Sequence, residues 1–259
     1  MLNCVLHGTD TGAPPLLIAH GLFGSARNWG VIAKRLSDRG PVIAVDMRNH
    51  GDSPPEASQS YAEMADDLAE VIAAHGGQAD VLGHSMGGKT AMMLALSRPA
   101  LVRRLIVADI APVTYGHSQA HLIEAMRGID LSGIQRRSQA DAALAVTVKD
   151  PSVRAFLLQS LDVAGQRWRL GLDVLDRDMA RITGWPEPDG EFDGPTLFLA
   201  GGDSDYVQRS HRDGIRALFP RARFAAIPGA GHWLHAEKPR EFKAAVRFFL
   251  NAEAPPQSP

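Results

Sequence analysis

The run Gly83-His84-Ser85-Met86-Gly87-Gly88 sets a hydroxyl nucleophile among glycines, where the apolar stretch Ala79 to Leu82 gives way to a segment of helical period reaching Ser97. Strand, then G-x-S-x-G, then helix is the context that a nucleophile elbow requires. Such a turn forces the serine into a strained backbone conformation, and side chains two positions before and after it would collide; Gly83 and Gly87 relieve both. The turn lifts the Ser85 hydroxyl above the strand edge, and the start of the helix directs unpaired N–H groups toward an oxyanion. A serine alone is a weak nucleophile: it needs a base, and the base needs an orienting acid. Of the ten histidines, His232 has the fitting place. Gly229-Ala230-Gly231-His232-Trp233 lies after the last expected strand and before the last helix, where glycines let a loop carry an imidazole over the sheet edge. His84, beside the nucleophile, is read as a packing residue. His235 is three residues from His232, but neither a third ligand nor an H-e-x-x-H pattern is there to make a metal site.

A second turn, His20-Gly21-Leu22-Phe23-Gly24-Ser25, follows the apolar run Leu16 to Ala19. A glycine-containing turn in that place supplies an oxyanion donor, so the backbone N–H groups of Leu22 and Met86 are the two expected donors. Each is worth roughly 2.7–4 kcal/mol in the transition state. Arg48, Asn49 and His50 are read as hydrogen bonders that stabilise their own loop, and Lys89 as a surface lysine. Trp29, Trp168, Trp185 and Trp233 divide between core and acyl pocket, with Phe156 and Trp185 as bulky candidates for shaping the pocket. Cys4 has no base beside it and is read as inert.

The elements that must position these residues alternate. Short apolar runs at Leu16 to Ala19, Val42 to Val45, Ala79 to Leu82, Leu105 to Ala108, Thr196 to Ala200 and Arg223 to Ile227 read as strands, with a weaker one near Leu2 to Leu6. Between them, Ala26 to Ser37, Tyr61 to Ala74, Met86 to Ser97, Arg209 to Phe219 and Arg240 to Asn251 place apolar residues at helical spacing. This rhythm predicts an α/β fold with a mostly parallel central sheet flanked by helices. It breaks between Pro112 and Phe192, where helical stretches such as Ala140 to Val148 and Val153 to Leu161 occur without a clear buried strand. The expected organisation is a core of residues 1–111 and 194–252, a helical cap insertion at 112–193 over the carboxyl edge of the sheet, and a disordered tail at 253–259.

Composition limits the partners. The chain has 259 residues, 45% hydrophobic, and a net charge of -2 from 29 acidic and 27 basic residues, which gives no footprint for nucleic acid and no polybasic membrane patch. The apolar stretches are too short to span a bilayer, and Met1 to Gly12 lacks the pattern of a secretory signal. The single cysteine cannot form an internal disulfide, so a cytoplasmic protein acting on a small molecule is expected; the oligomeric state stays open.

Together these motifs resemble the α/β-hydrolase superfamily over essentially the whole chain. The narrower likeness is to the YbfF-type bacterial acyl-CoA/carboxyl esterases. It is carried by His20 to Ser25, Asp46-Met47-Arg48-Asn49-His50-Gly51-Asp52-Ser53, Gly83 to Lys89, Asp109-Ile110-Ala111-Pro112 and Gly229 to Trp233, followed by His235-Ala236-Glu237-Lys238-Pro239. The resemblance implies the α/β-hydrolase fold and a serine hydrolase of simple esters and acyl thioesters that needs neither metal nor organic cofactor. One position departs from the wider superfamily, whose acid usually stands fourth in G-x-x-D; counting from Gly201, that place holds Ser204 between Asp203 and Asp205. The narrower group takes its acid from the D-I-A-P segment, which points to Asp109 at the carboxyl end of its strand, with Asp203 and Asp205 in reserve. The rival chemistries on the same triad are cofactor-free perhydrolase or haloperoxidase activity and C–C bond hydrolysis. Haloalkane dehalogenase and epoxide hydrolase chemistry would require an aspartate in place of Ser85. A weakly catalytic ligand receptor is the alternative from outside enzymology.

Overall fold

The computed structural model describes residues 1–252; the tail expected at 253–259 lies outside the described residues. Its strands are β1 (Cys4–His7), β2 (Leu16–Ala19), β3 (Val42–Val45), β4 (Ala79–His84), β5 (Val102–Ala108), β6 (Leu161–Asp162), β7 (Arg167–Trp168), β8 (Thr196–Gly201) and β9 (Ala222–Ile227). Seven of them form one sheet in the order β1-β3-β2-β4-β5-β8-β9, parallel except for β1 against β3. In this order the chain turns from β3 back past β2 to β4, so the loops after β2 and β4 leave neighbouring strands at the carboxyl edge. A crevice at such a switch point is where open α/β sheets bind ligands. Leu17, Ala19, Ile43 and Val45 face one hydrophobic cluster while Leu16, Ile18, Val42 and Ala44 face another, the two-sided burial of a sheet covered on both faces.

The helices are α1 (Gly30–Leu36), α2 (Tyr61–Ala74), α3 (Met86–Ser97), α4 (Ala120–Arg127), α5 (Arg137–Leu144), α6 (Pro151–Leu157), α7 (Leu172–Arg177), α8 (Met179–Thr183), α9 (Arg212–Leu218), α10 (Leu234–Glu237) and α11 (Pro239–Asn251). The Ser60 hydroxyl accepts the Glu63 N–H at the start of α2, and buried Met64, Leu68, Val71 and Ile72 seat this helix on the sheet. Helix α3 has no polar face: each of its residues from Met86 to Leu96 is buried. Helices α1 and α11 contribute Ile32, Leu36, Phe242 and Val246 to the cluster on the opposite face.

Between β5 and β8 the elements are short and their ends differ from those expected. The stretch Ala140 to Val148 becomes α5, which stops at Leu144 ahead of Val146, Thr147 and Val148. Helix α6 starts earlier than Val153 because the Asp150 carboxylate accepts the Ser152 N–H at 2.7 Å and Pro151 supplies a fixed φ for the first turn. The antiparallel pair β6–β7 interrupts a stretch expected to hold helices without a clear strand; at two residues per strand it is too short for an alternating pattern to show.

Candidate active site

Ser85 is at φ 52°, ψ −119°, a backbone conformation of high cost that the surrounding strand and helix impose. A Cβ on Gly83 would collide with the Gly87 carbonyl, and one on Gly87 with the backbone of Ala19 and His20, so β2 and the elbow can approach only through glycine. The Ser85 hydroxyl donates to His232 Nε2 at 3.1 Å, and the His232 Nδ1–H donates to Asp109 Oδ2 at 2.7 Å. Those three side chains, expected from separate stretches of sequence, are brought together at the carboxyl ends of β4 and β5 and the loop after β9.

Asp109 is fully buried and also left-handed, at φ 51°. Its Oδ1 accepts the Gly201 N–H at 2.8 Å, while its Oδ2 is shared between His232 and the Ser204 hydroxyl at 2.5 Å. Ser204, in the place where the wider superfamily has its acid, thus donates to the carboxylate that comes from β5. No hydrogen bond joins the carboxylate of Asp203 or Asp205 to His232 among the described residues; both residues are exposed. The vacated acid position was visible in the sequence, whereas the contact it makes was not.

The turn after β2 is held from below by two buried histidines. His20 Nε2 accepts the Met47 N–H at 2.9 Å, and His50 Nε2 accepts the Phe23 N–H at 3.2 Å. The opposite nitrogens, Nδ1–H, donate to the carbonyls of Gly21 and Arg48. Burial lowers the pKa of His20 and pushes that of His50 down to about 3, which keeps both rings neutral and able to accept. Leu22 and Met86 line the cavity beside Ser85, and no hydrogen bond among the described residues engages either N–H.

His84 lies behind His232, donating its Nε2–H to the His232 carbonyl at 2.9 Å; burial carries its pKa well below 6.5. His235 stacks on Trp29 with centroids 4.2 Å apart, and burial takes it down to about 3. Arg48 pairs with Asp67 at 2.6 Å and Asn49 donates to Gln59 at 2.9 Å, so both brace their loop. Gly51 is bound to this loop because a Cβ there would strike the Asp46 carboxylate, which accepts from Ala26 and Asp52 N–H groups.

Lys89 is not on the surface. Only 1% exposed, it points from α3 into the protein and donates to the carbonyls of Thr183 at 2.9 Å and Gly184 at 2.6 Å. Burial brings its pKa down to about 7, and the ammonium and the neutral amine both retain the two N–H donors these carbonyls use. A lysine set between Met86-Gly87-Gly88 and the apolar run Ala91 to Leu96, with only Thr90 as a polar neighbour, is the signal for its burial, since α3 has no exposed face to receive it.

A cavity of about 440 Å³ opens beside Ser85. The segment between β5 and β8 contributes Leu122, Val148, Val153, Phe156 and Ile182 to its wall, and Trp233 faces Phe156 with centroids 5.5 Å apart. Trp185 does not line it; the ring packs toward Tyr61 instead, so its pairing with Phe156 as a pocket residue is corrected. Trp168 donates its indole N–H to the Met126 carbonyl, a structural contact. Among the described residues no group of three or more metal-ligating side chains converges, and no helix is long and apolar enough to cross a membrane.

Comparison with known proteins agrees with this geometry. A family profile described as the α/β hydrolase fold matches residues 14–239. The chain is similar to the sn-1-specific diacylglycerol lipase ABHD11 of Mus musculus, 45% identical over 93% of this chain and 82% of the relative. It is likewise similar to the esterase YbfF of Escherichia coli strain K12, at 42% identity over 92% of this chain and 93% of that one. Among solved structures, a marine microorganism esterase superposes with a TM-score of 0.91 at 37% identity, covering 96% of this chain and 98% of its own. With a family profile matched over residues 14–239 and relatives of this identity over nearly all of this chain, the chain belongs to the α/β-hydrolase family.

Proposed function

We propose that the protein hydrolyses carboxylic esters and acyl thioesters through an acyl-enzyme on Ser85. The observation that carries this reading is the continuous chain of hydrogen bonds from Ser85 Oγ through both ring nitrogens of His232 to Asp109, at 3.1 and 2.7 Å, at the wall of an apolar cavity. Ser85 Oγ attacks the carbonyl carbon as its proton passes to His232 Nε2; the carbonyl oxygen gains the negative charge and is met by the Leu22 and Met86 N–H groups. Collapse breaks the bond to the alcohol or thiol, which leaves with the proton from Nε2. A water then repeats the sequence on the acyl-serine, returning the acid and free Ser85. Asp109, buried and held by Gly201 and Ser204, keeps Nδ1 protonated and so presents Nε2 as the base.

Residues 112–193 act in this reading as the cap, since Leu122, Val148, Val153, Phe156 and Ile182 line the same cavity as the serine. The names of the relatives, esterase and diacylglycerol lipase, favour ester hydrolysis over C–C cleavage and perhydrolysis. The test is hydrolysis of p-nitrophenyl esters and acyl-CoA thioesters of several acyl lengths, with fluorophosphonate labelling alongside. Wild type is expected to turn over and to label at Ser85, and Ser85→Ala to lose several orders of magnitude in kcat while substrate binding persists. Folded protein that neither labels nor hydrolyses would favour a receptor, and appreciable turnover by Ser85→Ala would remove the serine from the chemistry.

A further inference from the structure

Two hydrogen bonds do not fix the base. The Nδ1 bond to Asp109 and the Nε2 bond to Ser85 define a line through the imidazole, and the ring can still roll about that line. His232 rides on a loop with glycines at 229 and 231, and its side chain is 21% exposed, so burial alone does not stop the roll. Something must press on the faces of the ring. On one face lies Tyr206, with centroids 4.0 Å apart and planes within 18° of parallel. His84 also packs against the ring, at 4.8 Å and tilted by 41°.

Building on the function proposed above, we infer that Tyr206 is a positioning residue whose ring clamps the His232 imidazole in the orientation that joins Ser85 to Asp109. The clamp has its own foundations. The Tyr206 N–H donates to Ser204 Oγ at 3.3 Å, the Tyr206 carbonyl accepts the Tyr115 hydroxyl at 2.7 Å, and the Tyr206 hydroxyl is hydrogen-bonded to His117 Nε2 at 2.8 Å. The Tyr115 oxygen also accepts the Ala111 N–H at 2.9 Å, two residues beyond Asp109. Acid and clamp therefore share one support, and a shift of either is felt by both.

The same ring suits the charge that the reaction creates. When Nε2 takes the Ser85 proton the imidazole becomes a cation, and an aromatic face at 4.0 Å attracts it. Burial and the nearby Asp109 charge push the Tyr206 phenol above its usual range, so the ring stays neutral, and burial keeps His84 uncharged. Neither of these two rings packed on the imidazolium carries a positive charge.

The experiment compares Tyr206→Leu with Tyr206→Phe, using a short and a long p-nitrophenyl ester and the downfield proton resonance of the His232 Nδ1–H. Tyr206→Leu is expected to lose roughly tenfold or more in kcat, by the same factor on both esters, with KM within about twofold and the Nδ1–H resonance broadened by exchange. Tyr206→Phe keeps the stack and should hold kcat within about threefold of wild type with a sharp resonance. Tyr206→Met is read in the same way if the leucine variant does not fold. Wild-type kcat in the leucine variant, equal losses in leucine and phenylalanine, or a loss confined to KM or to one acyl length would each overturn the clamp. Turnover surviving in Ser85→Ala would instead strike the reaction itself, so the two failures are told apart.

Discussion

The sheet edge and the segment between β5 and β8, which share the cavity beside Ser85, are held by different means. At the edge, the backbone does the placing: Ser85 and Asp109 sit at φ 52° and 51° at the ends of adjacent strands, and glycines at 83 and 87 allow a contact that any side chain would prevent. In that segment, residues are tied down by hydrogen bonds that each use one side chain, either its own or one from the rest of the chain. Lys89 reaches the carbonyls of Thr183 and Gly184, Tyr61 donates to the Ile182 carbonyl at 2.5 Å, Asp178 accepts the Gln59 N–H, and Ser160 donates to the Phe23 carbonyl. Torsions locked in a sheet hold atoms to fractions of an ångström, which acyl transfer requires. Side-chain ties let a wall be rebuilt without moving the chemistry, and that is the property a pocket needs if its shape is to vary.

The sharpest way to break this contrast is at Asp109. If the edge supplies the acid, Asp109→Asn leaves the neighbours in place but presents His232 with the wrong hydrogen-bond partner, and kcat should fall by roughly 10⁴-fold with the fold intact. Asp203→Asn and Asp205→Asn should each lose far less. Near-normal turnover in Asp109→Asn together with collapse in one of the others would move the acid to the loop after β8.

Acid should damage the edge next. His50 and His235 have pKa values of about 3 against 6.5 for an unconstrained ring, and His20 and His84 are lowered too. Below pH 6.5 the unfolded chain takes up protons at these rings that the folded chain refuses, so stability is present above that pH and drains as pH falls toward 3. The melting temperature is expected to drop on the order of 10 °C between pH 6.5 and 4.5. Calorimetry at fixed ionic strength measures it; a flat melting temperature over that window would mean that the rings tolerate charge.

A smaller effect is expected from cutting one tie. Lys89→Met removes both donors to Thr183 and Gly184 and leaves the Gly184 carbonyl unpaired, a loss of about 1–3 kcal/mol. Denaturant melts should show it, while fluorophosphonate labelling of the folded protein stays close to the wild-type rate. A labelling rate that fell in step with stability would show that the segment and the edge are one mechanical unit.

How far each region could be read in advance follows the same division. Strands β2 and β3 fall where four-residue apolar runs predict them, and α2 and α3 begin at the expected residues, because a sheet buried on both faces leaves an unbroken apolar signature. The elbow was legible because its glycines are dictated by collisions. Lys89 reads as a surface lysine by its charge alone, yet it is buried because the helix that carries it has no exposed face. The contacts of Ser204 and Tyr206 carry little signal, since a loop contact between residues about 95 positions apart, as from Ser204 to Asp109, has no period. In the segment between β5 and β8, helices of five to eight residues leave no room for an amphipathic pattern to declare its ends.

The smallest effect, and the one most specific to the wall, concerns Phe156. Its ring projects from α6 into the cavity and meets Trp233, whereas Trp185, of similar bulk and on the same segment, packs toward Tyr61 away from it. Phe156→Ala removes apolar volume from the wall without touching any hydrogen bond of the edge. A longer acyl chain gains the space, a short one loses contacts, and the ratio of kcat/KM for long over short esters should rise by about threefold to tenfold, within the range that a changed hydrophobic wall can discriminate. Because the ring is only half-buried, the stability cost should stay near 1 kcal/mol. Trp185→Ala supplies the contrast, with a comparable or greater loss of stability and an unchanged ratio. The measurement is a chain-length series of p-nitrophenyl esters on both variants. If Trp185→Ala shifts the preference and Phe156→Ala does not, the wall lies on the other side of the segment, and the side-chain ties that hold Ile182 and Thr183 become the determinants of acyl choice.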